Sequence, residues 1–103
     1  MTGRTRLPNR RFSETFAFEC NGLRYVATIS RFADGRISEL FLNNHKGGSH
    51  ADANARDAAI ILSFALQFGA DIAVIRRALS RDSRGRASSP VGEALDLLNG
   101  GST

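Results

Sequence analysis

The feature that most constrains this chain is Asn21-Gly22, set between two runs whose apolar residues recur at every second position. A two-residue type I′ turn needs positive φ at both central residues, and Asn-Gly supplies it at low cost. Such a turn leaves no freedom of register, so Cys20 must face Leu23, Phe18 must face Tyr25 and Phe16 must face Ala27. Asp34-Gly35 reads as a second turn of the same kind, which pairs Arg31 with Ser38, Ile29 with Leu40 and Ala27 with Leu42. The resulting antiparallel meander carries Phe16, Phe18, Cys20, Leu23, Tyr25, Ala27, Ile29, Leu40 and Leu42 on one face, the expected core. Its other face holds Arg24, Val26, Thr28, Ser30 and Glu39, but also Phe32, Ile37 and Phe41. Two explanations stay open for these three: a partner surface, or a β-bulge near the second turn that rotates them inward.

After the loop NNHKGGSH the period becomes helical. ADANARDAAIILSFALQF places Ala55, Ala58, Leu62, Ala65 and Leu66 at spacings of three and four, with Asp52 as the expected N-cap and Gly69 just past the end. Asp71 caps a second, short helix, IAVIRRALS, with Ile72, Ile75 and Leu79 as its stripe. The polar loop RDSRGR follows. Ser89 then caps a last helix whose first position is Pro90, where no N–H is needed. Three strands followed by three helices on one sheet face make an α+β domain. Residues 1–12 read as a basic flexible arm, 13–98 as a single domain and 99–103 as a frayed tail. We expect no internal repeat.

Charge narrows the partners. The 103 residues carry +4, and of 14 basic residues all but Lys46 are arginine. Arg4, Arg6, Arg10 and Arg11 give the first eleven residues +4. Arg76, Arg77, Arg81, Arg84 and Arg86, less Asp82, give residues 76–86 another +4. Arginine forks bond phosphate and carboxylate in pairs, so these clusters suit an anionic partner. No apolar stretch reaches the roughly 20 residues that span a bilayer, and no apolar run follows the basic N-terminus as a secretory signal requires. The expectation is a cytoplasmic protein with no membrane partner.

Sites of chemistry are sparse. Cys20, the single cysteine, falls on the core face, where a thiol acts as a small hydrophobe. His45 and His50 flank a glycine loop and with Asp52 offer three ligands, but their spacing matches no compact zinc pattern and a second cysteine or third histidine is missing. We therefore expect no catalytic residue, no metal and no cofactor. Lys46-Gly47-Gly48-Ser49 lacks the order of a phosphate loop, since the lysine precedes the glycines. Glycines before a helix start still admit an anion, and Arg56 lies one turn further on. Those five residues are the candidate anion or nucleotide site.

The order of elements and several segments together resemble the TSCPD domain, found at the C-terminal end of adenosylcobalamin-dependent (class II) ribonucleotide reductases and as small free-standing bacterial proteins. Ala87-Ser88-Ser89-Pro90-Val91 stands where the family's Thr-Ser-Cys-Pro-Asp run opens the last helix. GLRYVATISRFADGRISELFL matches the strands, HKGGS the glycine loop and ARDAAIILSFALQFG the first helix; LPNRRFSETF is similar to the arm of free-standing members. The similarity covers roughly residues 7–98, so 13–98 becomes a TSCPD-like domain. Where the family carries cysteines, at hairpin, glycine loop and corner, this chain has Cys20, Ser49 and Ser89, and Val91 replaces the aspartate. One thiolate cannot build a zinc site, and a reductase reaction needs further cysteines and a large barrel. The resemblance thus implies a non-enzymatic accessory domain that binds a protein or nucleotide connected with deoxyribonucleotide supply, with a ribonucleotide reductase or a second copy as partner. Phe32, Ile37 and Phe41 are its candidate partner surface. The alternative is a small nucleic-acid-binding module acting through Arg10, Arg11, Arg76, Arg77, Arg81, Arg84 and Arg86.

Overall fold

The computed structural model describes residues 13–44 and 46–100; the expectations for the arm with Arg10 and Arg11, for His45 and for residues 101–103 lie outside the described residues. Strands β1 (Ser13–Cys20), β2 (Leu23–Arg31) and β3 (Ile37–Asn44) form one antiparallel sheet in the order β1-β2-β3. Helices α1 (His50–Gln67), α2 (Ile72–Ala78) and α3 (Pro90–Leu98) follow. Asn21 and Gly22 take φ of 53° and 79°, and the first hairpin has the expected register, Cys20 with Leu23 and Phe16 with Ala27. One core joins Phe18, Cys20, Tyr25, Ala27, Ile29, Leu40 and Leu42 of the sheet to Ala55, Ala59, Leu62 and Leu66 of α1 and Val91, Ala94 and Leu95 of α3. Leu23, expected in this core, is instead 40% exposed at the start of β2, beside the hairpin turn. Phe16 is half-buried against the core edge.

The second hairpin differs from the two-residue turn. Phe32 N–H donates to the Arg36 carbonyl at 2.8 Å and Gly35 N–H to the Phe32 carbonyl at 2.9 Å, with Gly35 at φ 95°. This is a three-residue loop whose last residue is left-handed. The register is displaced near it: Arg31 pairs with Ile37, not Ser38. A bulge at Ser30/Arg31 opposite Ser38 absorbs the extra residue, so Ile29–Leu40 and Ala27–Leu42 pair as expected. The bulge turns Ile37 onto the core edge, the inward alternative, whereas Phe41 stays 41% exposed. Phe32 is half-buried, with the Arg36 guanidinium 4.9 Å from its ring centre.

Helix α1 is capped three residues before the expected position. Ser49, not Asp52, is the N-cap, and its hydroxyl accepts the Asp52 N–H at 3.0 Å. Ala55, Leu62 and Leu66 of the expected stripe are buried, but the helix is rotated enough that Ala59 joins the core while Ala58 faces outward and Ala65 is half-buried. Its end is closed by Gly69 at φ 100°, with Gly69 N–H on the Leu66 carbonyl and Ala70 N–H on the Ala65 carbonyl, a Schellman arrangement. Asp71 and Ser89 cap α2 and α3 as expected. No residue of α2 is fully buried, and Leu79 is its C-cap.

Beside its core stripe, α1 is held to the sheet by buried polar side chains. Ser63 Oγ accepts the Leu40 N–H at 2.9 Å and lies 3.0 Å from the Leu40 carbonyl; Gln67 Nε2 donates to the Ser38 carbonyl at 3.1 Å. Asp52 Oδ1 accepts the Asn44 N–H at 2.8 Å. Three buried side chains from one helix face thus satisfy the outward backbone of β3, so that strand's edge is closed by a helix rather than by another strand.

Candidate functional site

The glycine loop is organised around a carboxylate of its own. Asp52, 4% exposed, accepts the N–H groups of Asn44 and Gly48, and these bonds hold its carboxyl below the usual aspartate range, with Arg56 3.9 Å away adding to the effect. Ser49 Oγ is engaged as the α1 cap. Lys46, Gly47 and Gly48 are exposed around it. The five residues of the candidate anion site are therefore brought together, with Asp52 occupying the Gly48 N–H that an external anion would use.

The arginine cluster divides in two. Arg81 forms a bidentate pair with Asp96, at 2.7 and 2.8 Å, and Arg76 Nε reaches the same carboxylate at 2.8 Å. Arg81 first and Arg76 second hold the Asp96 carboxyl below its usual range. These two arginines fasten α2 and the following loop to α3. Arg77, Arg84 and Arg86 are exposed. A cleft of about 700 Å³ beside them is lined by Glu19, Glu93, Asp82 and Asp96 as well as Arg81, Arg84 and Arg86, a mixed field rather than a positive groove.

Arg81 also belongs to a pattern that the sequence displays but periodicity does not flag. In residues 31–36 and 81–86 the spacing R-x-x-x-G-R recurs. Each time the first arginine donates to the glycine carbonyl, at 2.9 and 3.0 Å, and pairs in β fashion with the residue six positions on: Arg31 with Ile37, Arg81 with Ala87. Arg31 Nε further bonds Glu14 at 3.0 Å. The arginine is a brace for a tight loop in both places.

The corner Ser88-Ser89-Pro90 is tied to the first hairpin, as Asn21 Nδ2 donates to the Ser88 carbonyl at 3.0 Å. Ser89 Oγ accepts the Gly92 N–H at 3.1 Å. A side chain at Gly92 would meet Ala87 and Ser89 at 3.1 and 3.2 Å, so the corner packs down on the helix start. Cys20 is buried beside it, and burial first, then the charge of Glu93, push its thiol up from the ordinary value. Among the described residues no three His, Cys, Asp or Glu side chains come together as a metal site.

The feature that the sequence reading missed is a groove of about 630 Å³ between α1, α2 and this corner. Ala55, Ala58, Leu62 and Ala65 line it from α1, Ile75 and Leu79 from the α2 side, and Pro90 and Val91 from α3. Its polar contributions are few, among them Asn54 and Ser89. The volume falls within the range of ligand and side-chain pockets. The alanine spacing was visible in the sequence, but only the rotation of α1 shows that Ala58 and Ala65 face a trough rather than the core. No helix among the described residues is long and apolar enough to cross a membrane.

No protein-family model matches the chain, and no solved structure matches it. Over 66 residues, 64% of this chain, it is 38% identical to the vitamin B12-dependent ribonucleotide reductase of Agrobacterium fabrum. Those residues make up 5% of that protein's length, so the chain is similar to one small segment of a much larger reductase.

Proposed function

We propose that this chain is a non-catalytic, TSCPD-like binding domain that holds a protein connected with deoxyribonucleotide supply, and that the groove between α1, α2 and the Ser89-Pro90 corner is where it does so. The observation that carries the reading is the apolar lining of that groove. A nucleotide needs donors for its phosphates, whereas alanine, leucine, isoleucine and proline suit apolar side chains of a protein segment. Similarity to a reductase segment supports the setting. The residues at the family's cysteine positions are employed structurally: Ser49 and Ser89 cap helices and Cys20 lies in the core.

The test is direct binding of the full chain to a purified vitamin B12-dependent ribonucleotide reductase from the same cell. Dissociation constants of about 10 µM or below are expected, a range reached by modest apolar contacts. Ala58→Arg, at an exposed helix position, lays a guanidinium in the groove and should weaken binding at least about tenfold. No binding removes the reductase setting; binding that Ala58→Arg leaves intact removes the groove.

The exposed Arg77, Arg84 and Arg86 favour a second reading, the nucleic-acid module. It requires affinity for single-stranded DNA that falls steeply with salt and that Arg84→Ala with Arg86→Ala reduces.

A further inference from the structure

Helix α2 is the one helix with no fully buried residue among its seven, and Val74 at its centre is 53% exposed. At that length a helix is unstable in water without tertiary support. Ile72, Ile75 and Leu79 supply that support as half-buried side chains against the core. Space adjoins the helix at several places. The groove of about 630 Å³ meets Ile75 and Leu79, a cleft of about 520 Å³ meets Asp71 and Ile72, and a smaller one of about 90 Å³ lies beside Ile72, Ala73 and Arg76. A settled core element leaves few voids larger than a water molecule. Among the described residues the polar anchor of α2 is one ion pair, Arg76 Nε to Asp96 at 2.8 Å. Its flanks, by contrast, are fixed. The Gly69 and Ala70 N–H groups close α1 on the Leu66 and Ala65 carbonyls, and Ser88 N–H holds the Ser80 carbonyl at 2.9 Å, next to the Arg81–Ala87 bridge.

We propose that residues 71–79 are a gate on the groove: α2 detaches and loses its helix while the sheet, α1 and α3 stay folded, and it re-forms over an occupant. Detachment and unfolding are one event, because the freed helix is too short to persist. Ile75 and Leu79 leave with it, so the groove loses its α2 wall and a protein segment enters from the side. On closing, those two side chains gain apolar contact with the occupant, and Arg76 returns to Asp96. Asp96 suits a latch because Arg81 grips it bidentately, at 2.7 and 2.8 Å, so it keeps a partner when Arg76 leaves. No carboxylate is stranded, and the Arg76 side chain, already 21% exposed, passes readily into water; both features keep the release far cheaper than breaking a buried pair. The gate presupposes that the groove is the binding site, whereas the opening itself is a property of the free chain.

The experiment is native-state hydrogen exchange of the full chain, read by NMR in increasing urea below the unfolding transition. The reporters are the hydrogen-bonded amides of α2, among them Ile75 N–H on the Asp71 carbonyl at 3.1 Å, compared with the protected amides of α1 and β2. The α2 amides should exchange at least about a hundredfold faster and depend less steeply on urea, since their opening exposes little surface. Arg76→Ala should speed them at least about tenfold. Val74→Ala replaces a β-branched residue at an exposed helical position and should slow them about two- to threefold. Ile29→Val should lower core protection about two- to tenfold and leave α2 unmoved, because Ile29 stays packed in the open form. Exchange of α2 at the core rate and with the core urea slope overturns the gate. So does a shift of α2 together with the core in Ile29→Val. Added vitamin B12-dependent reductase should slow the α2 amides at least about tenfold. A complex that Ala58→Arg breaks, but in which α2 exchanges as in the free chain, removes the gate and leaves the groove. The lack of any complex removes the groove reading and the gate with it, while the free-chain exchange stands.

Discussion

Two buried serines on facing elements should respond to the same substitution with opposite signs. Ser63 is 5% exposed, and its hydroxyl accepts the Leu40 N–H at 2.9 Å and serves the Leu40 and Ala59 carbonyls. In Ser63→Ala the Leu40 N–H remains buried without an acceptor, at a cost of about 1–3 kcal/mol. Alanine's better helix propensity returns about 0.5 kcal/mol, leaving a net loss of about 0.5–2.5 kcal/mol. Ser38 is 0% exposed, and its Oγ has no hydrogen-bond partner among the described residues. Ser38→Ala removes a desolvated hydroxyl that bonds nothing, which should stabilise by about 0.5–1 kcal/mol. Urea unfolding followed by circular dichroism reads both. With a slope of roughly 1–1.5 kcal/mol/M for a chain of this size, the midpoint should fall by about 1 M for Ser63→Ala and rise by about 0.5 M for Ser38→Ala. Equal slopes for the three proteins are needed for the comparison. A Ser63→Ala midpoint indistinguishable from wild type would mean that the Ser63 hydroxyl does not close the edge of β3.

Two further predictions concern titration and thiol access. Asp52, bonded by the Asn44 and Gly48 amides, and Asp96, gripped by Arg81 and Arg76, both sit below the ordinary aspartate range in the fold. The unfolded chain therefore takes up protons first, so the stability these groups contribute is complete above the unfolded value of about 3.9 and is lost as pH falls through the folded values. The urea midpoint should hold from pH 7 to about 5 and drop toward pH 3; Asp96→Asn should lower it at pH 7 and flatten the drop, and an unchanged acid slope would refute the assignment. Cys20, buried with its thiol pushed up, should react with a disulfide reagent at pH 8 at least about a hundredfold slower than in denaturant, since the thiolate is the nucleophile; fast labelling of the native chain would place it at the surface instead.

The sequence by itself determined whatever depended on neighbours along the chain. Asn21-Gly22 forced the first hairpin because only residues tolerant of positive φ close a two-residue turn, and that turn set every cross-strand pair down to Ser13. Ser89-Pro90 and Asp71 announced their helices because a cap acts within one turn. The Asp34-Gly35 loop was legible as a turn, but its length and the compensating bulge at Ser38 were decided by the need to bring Ile37 onto the core while keeping Leu40 and Leu42 there. Composition alone also could not show that Asp52 is an internal anion, that Arg76 and Arg81 are spent on Asp96, or that R-x-x-x-G-R braces two loops. Those depend on groups distant in sequence. The rotation of α1 is the largest such decision. Read alone, the helix shows a core stripe, of which Ala55, Leu62 and Leu66 are buried; placed beside β3, it also turns Asp52, Ser63 and Gln67 inward, because an unpaired strand edge in the interior costs more than exposed isoleucine and phenylalanine. The groove at Ala58 follows from that rotation.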